Sequence, residues 1–292
     1  MVQTDTQQLP TRPLLYWQAL RSSFRLVAEN DLSLIAAGVA FFGMLSLFPA
    51  LAALIALLGL VSDPIVVLEQ MEALRPLVPE DVFEIINAQV LSLVSARADA
   101  LGWAGAVSLF LAIWTARAGT GAMIIGLNSV YQKQNRATTR HYLRAILITL
   151  GLMGVGIVAV LMVVVAPVVL AFFPLGAFFG WVFDLTRYTI AVLVLFAGIA
   201  VLYRFGPNRR PARMPWISFG AVVAVLSWAL VSIGFSYYVS NFGNYNQVYG
   251  SIGAVIVVLI WLWITSFLVL FGGLLNAQIE KRRNAVGAPP SS

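Results

Sequence analysis

The chain has 292 residues, of which 60% are hydrophobic and only 10% charged, and its mean hydropathy is +0.89. A soluble protein carries about 25% charged residues, so a water-soluble enzyme, a disordered chain and a repeat solenoid are excluded and a polytopic membrane protein is expected. The absence of cysteine removes disulfides, thiolate nucleophiles and cysteine-ligated metals, and a single histidine removes multi-histidine metal sites.

A helix needs about 20 mostly apolar residues to cross the hydrocarbon. Stretches free of acidic and basic residues run over Leu32–Ser62, Ala145–Phe183, Tyr188–Tyr203 and Met214–Ile279, and Ala100–Gln132 is broken only by Arg117. The longest holds two helices joined at Asn241–Gln247, whose Gly and Asn residues suit a tight turn. The expected fold is therefore all-α. Six transmembrane helices are expected near 32–61, 101–130, 145–172, 185–204, 215–239 and 252–279, with amphipathic interfacial helices beside them. The first is too long for the apolar core of a cleaved signal peptide and follows about 30 residues of chain.

Basic residues mark the cytoplasmic side of short loops. Fourteen of the eighteen fall before the first span, in the second-to-third and fourth-to-fifth loops, and after the last span, against Arg75, Arg97 and Arg187 on the other side. Both termini are thus expected in the cytoplasm. The basic loops are explained by an anionic leaflet rather than by nucleic acid.

In chain order, residues 1–31 read as a cytoplasmic tail. Its Leu14, Trp17, Leu20, Phe24 and Val27 recur at helical spacing around Arg21 and Arg25, the pattern of a basic amphipathic helix lying on the inner surface. Asp31 stands where it could cap the first span. Residues 32–279 form the transmembrane domain, and residues 280–292 a second cytoplasmic tail. Pro49 interrupts the first span, with Ser46 nearby to satisfy exposed backbone; the kink is read as a gate hinge or a packing bend. Gly250 is the second candidate hinge. The outer loop 63–99 carries seven acids and an expected helical face of Val82, Phe83, Ile86, Val90, Leu93 and Val94. Its carboxylates lack the spacing of a calcium loop.

Arg117 is the most informative residue, because a charge inside a span costs about 2.5–3.5 kcal/mol on insertion scales and faces the bundle interior or water. No acid stands inside another span. Its counter-charge is then carbonyl oxygen, water or an anion such as a phosphate-bearing lipid headgroup; the alternative is a structural arginine stacked on Trp114. Ala118, Ala122 and Gly126 form a small-residue series that permits close packing. Asn128 lies about three turns after Arg117, on the same face, either as a polar contact along a path or as helix glue. Ser232, Ser236 and Ser240 form a stripe that lines a groove or packs on a neighbour. Tyr245 and Tyr249 are candidate interface anchors.

Ala40-Phe-Phe-Gly-Met-Leu-Ser-Leu-Phe-Pro49, Trp114-Thr-Ala-Arg117, Gly126-Leu-Asn128, Tyr249-Gly-Ser-Ile-Gly253, Trp261-Leu-Trp263 and Gly272-Gly-Leu-Leu-Asn276 occur in order. Together they resemble the YihY/BrkB family of bacterial inner-membrane proteins over about residues 15–283. The resemblance implies a six-helix inner-membrane protein without a settled activity; members carry a ribonuclease label or links to virulence, serum resistance and envelope lipid handling. Many members have an acidic residue in the last helix where this chain has Leu274, so any role for that carboxylate is not carried over.

Enzyme readings fare poorly. His141 is the lone histidine and falls in a basic loop, no Gly-Lys-Ser/Thr phosphate loop occurs, and no base is evident for a serine nucleophile. The expected function is non-enzymatic and cofactor-free: a translocator of an anionic amphiphile, such as a lipid or lipid-linked glycan. Arg117 would meet the headgroup, while Asn128, Ser232, Ser236 and Asn276 line a polar path. The expected partners are anionic membrane lipids, a second copy of the chain or envelope proteins. The alternative is a membrane scaffold that organises envelope machinery.

Overall fold

A computed structural model describes residues 12–61, 87, 98–135, 137–160, 177–209, 215–241 and 251–287. The described residues are helical apart from short connections. The helices are α1 (Arg12–Glu29), α2 (Leu32–Val61), α3 (Ala98–Val130), α4 (Thr138–Val160), α5 (Ala177–Phe205), α6 (Phe219–Asn241) and α7 (Ser251–Gly287). A helix stands at each of the six expected span positions, and α1 stands at the expected amphipathic segment. Four of them hold stretches long and apolar enough to cross a membrane: Leu32–Ala50, Trp103–Val130, Phe219–Val239 and Val255–Asn284. A shorter apolar stretch covers Val192–Phe205. The distal part of the third expected span, most of the outer loop, Gly250, Tyr245 and Tyr249 lie outside the described residues.

The helices overrun their apolar stretches. α4 starts seven residues before the expected span and takes in Arg140 and Arg144, and α7 continues through Glu280–Arg283. Hydropathy locates hydrocarbon, whereas a helix ends where backbone hydrogen bonding ends. At α3 that end is a Schellman turn: the Lys133 N–H donates to Asn128 O (2.8 Å) and the Gln132 N–H to Ser129 O (2.9 Å). Gln132 pays for it with a left-handed φ of 51°, a conformation it shares with Asp31 (50°).

Asp31 joins α1 to α2 through its backbone. Its N–H donates to Ala28 O and its carbonyl accepts the Ile35 N–H (3.0 Å). Among the described residues the Asp31 side chain accepts no backbone N–H, so the expected side-chain cap is not formed. α2 runs through Pro49 unbroken. Ser46 bonds Gly43 O (2.7 Å), rather than Leu45 O, the carbonyl four residues before Pro49 that the proline leaves without its donor.

α7 is the central element, touching α1, α2, α3 and α6. Its Gly272-Gly273 pair explains the tightest crossing. A Cβ on Gly272 would lie 2.4 Å from Gly220 O and from the Tyr203 hydroxyl, and one on Gly273 would lie 2.7 Å from Leu127. Gly220 mirrors it, with an added Cβ 2.0 Å from Gly272 O. Helix backbones approach this closely only where side chains are absent, so van der Waals contact supplies the association that lipid cannot drive. The buried Tyr203 fills the adjoining space and donates to Val269 O (2.5 Å). Around it Leu32, Ile124, Leu127, Leu270 and Leu274 form a fully buried core. Leu274 therefore serves as core.

One end of the bundle gathers the basic segments. Ala19 of α1 packs on Leu275 and Ile279 of α7, and Arg282 donates to Gln18. The Arg209 guanidinium, 7% exposed, pairs with Glu280 (2.7 Å) and lies over the Tyr131 ring (4.3 Å). The α3–α4 and α5–α6 connections and the described ends of the chain therefore meet at one face of the fold, as the charge distribution anticipates.

Candidate functional site

Arg117 lies on α3 and is 8% exposed. Its Cζ sits 4.5 Å from the Trp114 ring centroid and 4.4 Å from that of Tyr142 on α4. Trp114 is one turn earlier on the same face, which is why a local stacking partner is legible in sequence; Tyr142 is not. Guanidinium faces favour aromatic rings, leaving five N–H groups in the plane. Among the described residues none accepts a hydrogen bond from them, and the buried Nε has no partner. Among the described residues no carboxylate lines the surrounding crevice, a space of about 590 Å³. Phe42 and Leu45 of α2, Ala118, Gly121 and Ala122 of α3, and His141 and Tyr142 of α4 form its walls.

Two expectations change here. Arg117 is about 20 Å along α3 from Val130, at 1.5 Å per residue, as its mid-span position suggests. The polar start of α4 nevertheless lies beside it rather than beside the end of α3. Tyr142 stacks on Arg117, and the His141 Nε2 would be 3.3 Å from a Cβ on Gly121. The last turns of α3 therefore project past the start of α4. His141, expected in a basic loop, belongs to the first turns of α4 and lines the Arg117 crevice. The signal that could have found it is Gly121, four residues after Arg117 on the same helix face, where a missing side chain leaves room for a ring.

The small-residue series divides. Gly126 packs tightly, its Cβ position 2.7 Å from Leu270 and 2.9 Å from Ile35. Ala118 and Ala122 instead leave the crevice open. Gly119, outside the expected series, lets α3 approach the α2 backbone at Val39 O and Gly43 N (3.6 and 3.7 Å from an added Cβ).

Asn128 and Asn276 are held elsewhere. Asn128 Nδ2 donates to Asn135 Oδ1 (2.8 Å), and its Oδ1 accepts the Asn208 N–H (2.7 Å), so it ties the α3–α4 connection to the α5–α6 connection. Asn276 Oδ1 accepts the Gly220 N–H (2.8 Å) and its Nδ2 donates to Ser218 Oγ (2.8 Å). Ser218 in turn accepts the Ala221 N–H (3.2 Å). Ser218 is thus the N-cap of α6, and Asn276 caps a second orphan donor from another helix. Neither asparagine lines the Arg117 crevice, although Asn276 borders a separate cleft with Tyr16, Ser218 and Glu280. Ser232 is half-buried and Ser236 exposed on α6, beside exposed Leu230, Ile233 and Tyr237.

Sequence reasoning also missed a polar cleft of about 580 Å³ at the basic end. Tyr131, Lys133, Asn208, Arg209, Glu280 and Lys281 line it. Tyr131 is half-buried there, and its loss of contact with water holds its phenol well above the usual range; Arg209 opposes that shift and Glu280 adds to it.

The profile of the family described as virulence factor BrkB matches residues 23–291. YfkH of Bacillus subtilis (strain 168), whose name describes it as ribonuclease-like, is 32% identical over 255 residues, covering 85% of this chain and 90% of YfkH. The UPF0761 membrane protein IL2447 of Idiomarina loihiensis is 27% identical over 92 residues, 32% of each chain. A UPF0761 membrane protein of Alteromonas mediterranea is 38% identical over 74 residues, 25% of this chain and 24% of its own. No solved structure matches. With its apolar helices and a family match that spans most of its length, this chain is a multi-pass membrane protein that belongs to the virulence factor BrkB family.

Proposed function

We propose that the protein translocates an anionic amphiphile across the bacterial inner membrane and that the Arg117 crevice receives its headgroup. The supporting observation is a buried guanidinium with rings at its faces and, among the described residues, no acceptor for its N–H groups and no carboxylate in the crevice. A buried charge is normally paired, and a phosphate or carboxylate fits the planar donor fork. In this reading the chain crosses the membrane six times with both termini in the cytoplasm. The start of α4, with Arg140 and Arg144, lies near the inner headgroup layer, so a lipid reaches Arg117 laterally between α2 and α4. The exposed edges of Trp114 and Tyr142 rim that entrance. The half-buried and exposed serines of α6 remain candidates for the polar path beyond it. The reading involves no catalytic step and no cofactor.

The test is native mass spectrometry of the purified protein beside Arg117→Ala and Arg117→Lys, followed by lipid flux in liposomes. A defined anionic lipid should be lost from Arg117→Ala and partly kept by Arg117→Lys, with flux falling in the same order. Equal, unselective lipid binding and unchanged flux in folded variants would make Arg117 structural and favour the scaffold alternative.

A further inference from the structure

We infer that His141 is a second, proton-dependent cation of the Arg117 crevice, so that a phosphodiester headgroup binds together with a proton. The inference rests on the headgroup reading of that crevice and adds a residue and a coupling to it. Gly121 and Arg117 are one turn apart on α3, and the imidazole Nε2 lies against Gly121 while the next residue, Tyr142, stacks on Arg117. One turn of α4 thus brings both a ring for the guanidinium and a titratable ring to the same wall. Imidazole is the side chain whose ordinary titration falls between about pH 5 and 8.

The surroundings set the sign of the coupling. From α3 the titratable or charged residue of the crevice is Arg117; α2 contributes Phe42 and Leu45; the α3–α4 connection contributes Asn135. On α4 itself Arg140, Tyr142 and Arg144 flank His141 in sequence. A cation beside an imidazole disfavours its protonated form, and Arg117 shares the crevice with His141. A phosphodiester in the crevice reverses that balance, because its charge offsets both Arg117 and the new imidazolium. Binding of the anion therefore draws a proton onto His141, and by linkage a lower pH tightens binding. Proton release at higher pH weakens the site and provides a route to discharge the lipid. A phosphodiester keeps one negative charge across this pH range, so the pH response belongs to the protein.

His141 is the sole histidine in the chain, which gives the test a single, assignable signal. The full-length protein, labelled on histidine with ¹³C and ¹⁵N, is titrated between pH 5 and 8.5 with and without short-chain phosphatidylglycerol. The lipid should move the His141 midpoint upward by about one unit, matching roughly tenfold tighter binding at pH 5.5 than at pH 8. His141→Gln should bind with pH-independent affinity, and His141→Lys should hold the low-pH affinity at pH 8. Acyl-free glycerophosphoglycerol serves as a competitor: displacement assigns the site to the phosphodiester itself, and no displacement with an intact midpoint shift assigns it to the lipid. Binding that depends on Arg117 but shows no pH dependence and no midpoint shift would overturn the role of His141 and leave the headgroup reading standing. Binding unaffected by Arg117→Gln would overturn both.

Discussion

Substituting Gly220 by alanine tests the crossing that organises α5, α6 and α7. The added Cβ would stand 2.0 Å from Gly272 O and 2.6 Å from Asn276 Cγ. A carbon rests no closer than about 3.3 Å to a carbonyl oxygen, so α6 and α7 must separate by about 1.3 Å. That movement stretches the 2.8 Å Gly220 N–H bond to Asn276 Oδ1 beyond hydrogen-bonding range. Overpacking costs about 1–3 kcal/mol and a buried donor left without its acceptor about 1–3 kcal/mol, together about 2–6 kcal/mol. The assay is unfolding by sodium dodecyl sulfate in mixed micelles, followed by tryptophan fluorescence. Asn276→Ala should reproduce the hydrogen-bond part alone. Gly38→Ala is the control: nothing lies within 4 Å of its added Cβ, and its midpoint should stay within about 1 kcal/mol of the original. A Gly220→Ala protein that unfolds with the unaltered one would refute the argument that close backbone contact holds this crossing.

Gln132→Gly should raise stability by about 0.4–1 kcal/mol, because the left-handed position that closes α3 suits glycine; a lower unfolding midpoint would count against it. Stability should fall as pH rises above 10. Burial holds the Tyr131 phenol neutral in the folded protein, whereas the unfolded chain ionises near pH 10 and binds fewer protons. Tyr131→Phe should flatten that alkaline decline in an unfolding series between pH 8 and 11, and an unchanged slope would show that the phenol does not contribute.

Much of the outline of this protein is written in composition. Apolar runs mark helices because a backbone in lipid must satisfy its own hydrogen bonds. The basic residues sort by loop, and the described connections between those loops' helices meet at one end of the bundle. Arg117 is conspicuous in sequence for the same reason, since charge is costly inside a span. Its neighbour Trp114 is equally legible, three residues away on one helix. The remaining contacts depend on how helices pair, which spacing along one chain does not encode. Tyr142 reaches Arg117, and His141 reaches Gly121, because α4 begins beside the middle of α3. Asn128 and Asn276 have the same polar amide and similar helical settings, yet one clasps two connections and the other caps α6. Gly272-Gly273 is visible as a pair, but only the opposing Gly220 and Tyr203 show what its missing side chains make room for. The sequence alone therefore determined which segments form apolar helices and where charge is exceptional, because those are local properties of residues and solvent. The tertiary structure decided which polar groups satisfy one another and which guanidinium is left facing an open crevice, because those depend on atoms brought together from distant helices.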